Sequence, residues 1–380
     1  MDFTLSEDHE MMRDFGRDFA EKRLAPIAEE MDAKQEIPEE IIKEAAELGF
    51  FGLLAPEEFG GQALDTLSYA LIIEELSKAC AGFAIMVSVH NSLVIKAIEM
   101  YGSDELKQEF LPKLASGEII GAYSLSEPGS GTDAGSLKCQ AIADGENYVF
   151  NGTKSWVTAA IYAGVIVVFA LTDPDKGPKG ISAILVTKDI EGMSMGAPEN
   201  KMGLKCSDTR EVSFIDAKVS KKYLLGDENH GFKIALSLLD NGRIGVGAQA
   251  LGIAEAAFAE ALSYSQERKQ FGQPISNFQA IQFKLADMAT KIDAAKLLVY
   301  RAAVLKDQEG RFGREISMAK LVASETANFV SNEAVQIHGG YGYVKEYPVE
   351  RYFRDARVTE IYEGTSEAQR VVISRDILKG

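Results

Sequence analysis

The chain has 380 residues, 46% hydrophobic and 26% charged, ordinary proportions for a globular protein with room for two or three domains. Its formal charge of −17 excludes a nucleic-acid or anionic-membrane surface, both of which need clustered Lys and Arg. Three dispersed cysteines (Cys80, Cys139, Cys206) and four scattered histidines form neither a disulfide framework nor a metal pattern; with no long apolar run and an acidic start, MDFTLSEDHE, the expectation is a cytoplasmic protein without membrane insertion.

Residues 1–120 predict helices. Met11, Met12, Phe15 and Phe19 recur at helical spacing, and PEEIIKEAAELGFFGLL opens on Pro and acids, as a helix start should. LDTLSYALIIEELSKAC and NSLVIKAIEMYG follow, the latter ending at Gly102. Over 121–230 the period changes to that of strands. YSLSEPGSGTDAG (123–135) is a glycine-rich loop with free hydroxyls; lacking a P-loop Lys and a βαβ setting, it reads equally as a polar turn or as a ligand cradle. In NYVFNGTKSWVT, Asn151-Gly152 predicts a type I′ hairpin turn. The only tryptophan, Trp156, follows it with Thr158 on the same side, as a core indole or as cover for a planar ring. AGVIVVFALTD, GISAILVTKD and TREVSFIDAKV complete a compact antiparallel β domain.

From residue 231 to 380 the helical period returns. Phe232 to Arg268 predicts a helix of 37 residues, ~55 Å long. On it, Asp240 and Arg243 of LDNGR share one face, where a surface ion pair is the plain reading. QERKQFGQPISNFQ (266–279) links two long helices and exposes Arg268 and Gln279, while QIHGGYGY (336–343) predicts a Schellman stop at Gly339-Gly340. Near the end, RDARVTEIYEGTSEAQR places Glu363 at the lip of a last helix, with Ser366 and Gln369 spaced as a capping box. An acid there is ordinarily just a favourable charge at a helix start.

Six of these segments resemble, in order and spacing, hallmark segments of the acyl-CoA dehydrogenase family of flavoproteins: YSLSEPGSGTDAG, KSWVT, MGLKCSDTREVSF, ERKQFGQPISNFQ, QIHGGYGY and IYEGTSEAQR. The resemblance covers essentially the whole chain. It implies a mostly α fold with an N-terminal helical domain, a middle β domain and a C-terminal four-helix bundle. It also implies one FAD per subunit, a homotetramer built as a dimer of dimers, and an electron-transferring flavoprotein as electron acceptor.

By the same resemblance Tyr123, Leu125, Ser126, Gly131, Thr132, Trp156, Val157 and Thr158 would meet the flavin from their own subunit, Trp156 covering a ring face. Arg268, Phe271, Phe278 and Gln279 would reach the FAD of the neighbouring subunit, with Gln336, Ile337, Gly339 and Gly340 towards its adenine end. Thr365 and Glu367 would touch the cofactor at the last helix. Thr132, Asp240, Arg243, Tyr362 and Gly364 would contact acyl-CoA, and Glu363 would be the general base that removes the α proton. A minority of the family carries its base on the helix after the β domain; Gly242 stands at that place here and cannot act. Ala159, Ala160 and Ala368 depart from the family's usual residues. Val94 and Ile95 either shorten the acyl pocket, favouring butyryl-CoA, or are core, and Lys96 is an unexplained charge beside them. Branched, cyclic or dicarboxylic acyl-CoA remain alternative substrates, and a non-catalytic flavin or acyl-CoA binder is the alternative of another class.

Overall fold

The computed structural model describes residues 4–308 and 310–379; residues 1–3, 309 and 380, which the expected domain limits include, lie outside the described residues. α1 (Glu7–Phe19) begins at Ser6, whose hydroxyl accepts from the His9 N–H, and its first turn holds Glu7, Asp8 and Glu10 against the helix dipole. α2 (Ala28–Lys34) and α3 (Glu39–Glu47) follow. α4 (Thr66–Val89), capped by Asp65, is broken at Cys80 (φ −150°, ψ 93°), so it consists of two helices joined at that residue. α5 (Lys96–Tyr101) stops before Gly102, and α6 (Asp104–Ala115) closes the first helical region.

The strands are β1 (Ile120–Ser124), β2 (Gln140–Asp144), β3 (Asn147–Thr158), β4 (Ala163–Leu171), β5 (Ile181–Thr187), β6 (Met193–Met195), β7 (Thr209–Ser220) and β8 (Leu224–Leu225). They form one sheet in the order β6-β7-β3-β2-β4-β5-β8, with β1 also on β4. Most pairs are antiparallel; β1 runs parallel to β4, which makes the sheet mixed. β4 is buried on both faces, as its near-continuous apolar run requires. Val165, Val167 and Phe169 join the large helical core, while Ile166, Val168 and Ala170 belong to a second core within the β domain.

One turn expectation is corrected. Asn151-Gly152 is not the hairpin turn: Asp144 pairs with Asn147, so β2 and β3 turn over Gly145-Glu146. Asn151-Gly152 sits inside β3, where the register against β7 shifts, and Gly152 is needed because a Cβ there would lie 2.7 Å from the Cys139 Cα. Asn151 instead accepts from the Asp216 N–H at 3.0 Å across the bulge.

α7 (Gly231–Glu267) has the expected 37 residues and packs against α4, α8 (Gln279–Lys306), α9 (Gly313–His338) and α10 (Val349–Thr359). β9 (Lys269–Gln270) and β10 (Gln273–Pro274) form a small hairpin between α7 and α8, and α11 (Ser366–Ile377) ends the chain's regular structure on α9. α9 stops at Gly339 as expected, but at φ 61°, ψ −133°, outside the left-handed helical well a Schellman stop uses.

Candidate active site

Glu363 occupies the turn between α10 and α11 with φ 52°, a left-handed conformation that a non-glycine residue adopts at a cost, and Gly364 follows at φ 98°. The helix it was expected to adorn is capped by Thr365, whose hydroxyl accepts from the Ala368 N–H at 3.2 Å. Ser366 is the first helical residue, so the expected Ser366–Gln369 capping box does not form. Gln369 turns back and donates to the carbonyls of Gly364 (2.9 Å) and Glu363 (3.3 Å).

Two cations hold the same backbone. Arg243 Nε donates to the Glu363 carbonyl at 3.3 Å, and the fully buried Lys320 Nζ donates to the Gly364 carbonyl at 2.9 Å. The carboxylate itself is left alone. Both its oxygens are buried without a hydrogen-bond partner among the described residues, although the residue as a whole is only half-buried. Burial pushes the Glu363 carboxyl up to about 7 against the opposing pull of Lys320 and Arg243. Burial also brings Lys320 down to about 8. A Cβ on Gly242 would lie 2.0 Å from Glu363 Oε2, so the carboxylate rests against the bare backbone of α7.

The neighbours are equally specific. Tyr362 donates from its hydroxyl to Gln249 Oε1, and the buried Gln249 amide donates to the Ala81 carbonyl at 2.8 Å, which fixes the aromatic ring beside the base. The Tyr123 hydroxyl is buried and unpartnered; burial, then the Glu363 charge, holds its proton on. Arg243 is turned inward and pairs with Asp240 at 2.7 Å, so the ion pair expected at the surface is largely buried.

A second group lies on the β domain. The Ser155 N–H donates to the Ser126 carbonyl at 2.9 Å, which brings Leu125 and Ser126 beside Trp156. Beneath them Lys154, fully buried, pairs with Glu127 at 2.8 Å and donates to the Leu125 carbonyl at 3.1 Å. Glu127 accepts in turn from the Lys138 and Cys139 N–H groups, so the glycine-rich loop is anchored from below. Trp156 is 61% exposed with φ 61°, at a register shift of β3 on β7, which rules out a core indole. Val157 is buried, Thr158 half-buried and Thr132 exposed, while Gly131 faces open space. Ala159 has φ 59° and ψ 23°, a left-handed position that suits Asn better.

A third group stands at the far end of α7. Arg268, Ile337, Gly339 and Gly340 line a cavity of about 720 Å³ with Tyr264, His338, Tyr341 and Tyr347. Arg268 lies over the Tyr341 ring, and among the described residues no acid pairs with it. Phe271, at the β9–β10 tip, is 94% exposed with φ 50° and stands edge-on to the Phe278 ring; Gln279 and Gln336 are exposed. Thr365 and Glu367 stay with the Glu363 turn. Arg243, bonded to the Glu363 turn that Thr365 and Glu367 follow, and Arg268 are 25 residues apart in sequence, ~37 Å along the helix, so Arg268 is not gathered with Thr365 and Glu367.

Sequence reasoning missed Lys320 and Gln249. Lys320 had a legible signal, since it interrupts the apolar stripe Ile316, Ala319, Ala323, Ala327 on α9. Val94 and Ile95 are fully buried, and Val94 presses on β1 so closely that a Cβ on Gly121 would lie 2.4 Å from its Cγ1; they are core. Lys96 is paired with Glu99 at 2.7 Å. Among the described residues no helix is long and apolar enough to cross a membrane, and no cluster could hold a metal ion.

Comparison with known proteins gives a uniform result. Models for the N-terminal, middle and C-terminal domains of acyl-CoA dehydrogenase match residues 6–118, 122–217 and 229–378. The chain is 50% identical to the acryloyl-CoA reductase (NADH) of Anaerotignum propionicum, over 100% of this chain and 96% of that one. It is 48% identical to the mitochondrial short-chain specific acyl-CoA dehydrogenase of Bos taurus, over 99% of this chain and 91% of the other. The solved butyryl-CoA dehydrogenase of Megasphaera elsdenii superposes with a TM-score of 0.97 at 45% identity, covering 100% of both chains.

Proposed function

The chain belongs to the acyl-CoA dehydrogenase family of oxidoreductases, and from that premise we propose that it desaturates short, straight-chain acyl-CoA thioesters between Cα and Cβ, with Glu363 as the base. The observation that carries this reading is a buried carboxylate with two oxygens unpartnered among the described residues, held from behind by Arg243 and Gln369 on its own carbonyl and by Lys320 and Gln369 on that of Gly364. Nothing structural requires such a group. A proton in transit does.

FAD is the family's cofactor, and when bound it accepts the hydride that leaves Cβ. The residues fit it: Trp156 offers an exposed indole face, Thr158 a hydroxyl that both donates and accepts, and Tyr123 a buried hydroxyl unpartnered among the described residues. Arg268 and the open Gly339 and Gly340 suit a pyrophosphate and adenine. Since the far group lies ~37 Å along α7, it would serve the cofactor of a second subunit, consistent with a homotetramer. An electron-transferring flavoprotein is the proposed acceptor.

The chain's own residues would do the acid–base work. A thioester α-C–H is too weak an acid for a carboxylate of ordinary pKa about 4.3. Raising the base to about 7 narrows that gap, and the Glu363 N–H, without a backbone partner among the described residues, would hold the thioester oxygen as charge develops on it. The same group, protonated, can return a proton. Reduction of a 2-enoyl-CoA is therefore the second reading, favoured by the 50% identity to an acryloyl-CoA reductase. Measuring rates in both directions with a redox dye distinguishes them.

Two expected results follow from this site. Because the base must be ionised, kcat/KM for flavin reduction by butyryl-CoA, which reports the base of the free protein, should rise with pH through about 7 and level off above it; a value flat from pH 5 to 9 would remove Glu363 from the proton step. Arg268→Ala should leave the subunit folded but lower the FAD-to-protein ratio after gel filtration, because it deletes a charge-assisted phosphate contact. Full flavin in an unaltered assembly would count against that role.

A further inference from the structure

α4 carries an unusual contact. Tyr69 and Ser88 are 19 residues apart on it, ~28 Å in an unbroken helix, yet the Tyr69 hydroxyl is 2.7 Å from Ser88 Oγ. The break at Cys80 folds one half of α4 back on the other and makes the contact. Both side chains are fully buried. The pair abuts α7 at Gly245, where an added Cβ would lie 2.3 Å from Ser88 Oγ and 2.4 Å from the Tyr69 hydroxyl.

Gly245 is three residues beyond Gly242, whose missing Cβ makes room for the Glu363 carboxylate. Residues i and i+3 share a helix face, ~4.5 Å apart along the axis. The base and the Tyr69–Ser88 pair thus stand one turn apart over two bare glycines of one helix. The Glu363 charge contributes, after burial, to holding the proton on Tyr69, as expected for groups facing a common space. Depth along α7 gives the direction: Asp240 is half-buried, whereas every residue from Asn241 to Ala254 is buried, so a chain entering past Asp240 and Gly242 runs inward towards Gly245.

We propose that Tyr69, braced by Ser88, is the end wall of the acyl channel and limits this protein to acyl chains of only a few carbons beyond the one that loses its proton. The proposal rests on Glu363 as the base. Carbons past Cβ have about one helical turn before they meet the two hydroxyls, which a longer chain would have to push aside. The wall is steric and polar at once: a methyl terminus ends against it, whereas further methylenes would bury the hydroxyl pair against hydrocarbon.

The test compares Tyr69→Ala and Tyr69→Leu with the wild-type holoenzyme. Two readouts are taken across straight acyl chains from four to twelve carbons: flavin reduction on anaerobic mixing, and calorimetric Kd for the matching 2-enoyl-CoAs. Each methylene in an apolar pocket discriminates about 10-fold or more, so the octanoyl-to-butyryl ratio of kcat/KM should rise at least about tenfold in Tyr69→Ala, with a parallel shift in Kd. Tyr69→Leu leaves a smaller cavity and should shift both ratios part of the way, which keeps the test open should the alanine variant not fold. Unchanged ratios in a folded, flavin-loaded variant overturn the wall while leaving the acyl-CoA reading intact. A wild-type enzyme whose flavin bleaches with no acyl-CoA overturns both.

Discussion

Glu363→Gln is expected to abolish flavin reduction by butyryl-CoA while leaving the fold, the flavin content and acyl-CoA binding in place. The amide has nearly the same size, and the restraints from Arg243, Lys320 and Gln369 act on backbone carbonyls that the substitution does not touch. What is lost is the basic oxygen. A positioned proton acceptor is worth roughly 10²–10⁴-fold, and a carboxylate whose oxygens are buried admits no easy substitute, so the loss should reach the upper end. Stability separates this from a capping role. A cap contributes a charge that favours the helix, so removing it would lower the melting temperature. The structure predicts the opposite. The carboxyl is raised to about 7 in the folded chain and stands near 4.3 when unfolded, so the folded state binds the extra proton between those values. Stability from this group is then intact below pH about 4.3 and is lost as pH rises to about 7. The neutral variant should melt above wild type at pH 8 and level with it at pH 4. A variant that melts earlier at pH 8 and still bleaches its flavin would make Glu363 a cap.

Much of this was legible in the sequence, and what was not has physical reasons. The length of α7 follows from a helical period with only glycines inside it, and those glycines, a weakness by propensity, turn out to be where the Glu363 carboxylate and the Tyr69–Ser88 pair rest. Asn151-Gly152 misled because the local signal for a turn also suits a bulge, and the choice was made by Cys139 on the neighbouring strand. The capping box failed by one residue, since Thr365 competes with Ser366 for the cap and no local rule weighs the pull of Arg243 and Lys320 on the preceding turn. The break of α4 at Cys80 was not legible, as no proline marks it and helix-compatible residues stand on both sides. Strain, too, is a tertiary property. Trp156, Phe271 and Glu363 all have positive φ, which no propensity would assign to them, and all three are expected site residues.

The other large effect belongs to a residue with no side chain. In Gly242→Ala the new Cβ would lie 2.0 Å from Glu363 Oε2, 2.7 Å from its Cδ and 3.0 Å from Oε1, and these are its three nearest neighbours. All three belong to the end of one side chain, so the clash is relieved by moving that side chain, with no shift of the α7 backbone. The carboxylate must move. Ala also favours a helix over Gly by about 1 kcal/mol, so the melting temperature should hold or rise. Catalysis should not survive as well, because a base displaced by about 1 Å from its productive position can cost 10²-fold. The expected result is a stable, yellow, substrate-binding protein whose flavin is reduced about a hundred times more slowly, with a pH profile still governed by Glu363. That profile separates displacement from loss of the base, since in Glu363→Gln no carboxylate is left there to titrate. A folded Gly242→Ala protein reducing its flavin at the wild-type rate would show that the carboxylate works from another place, and that its rest against α7 is incidental.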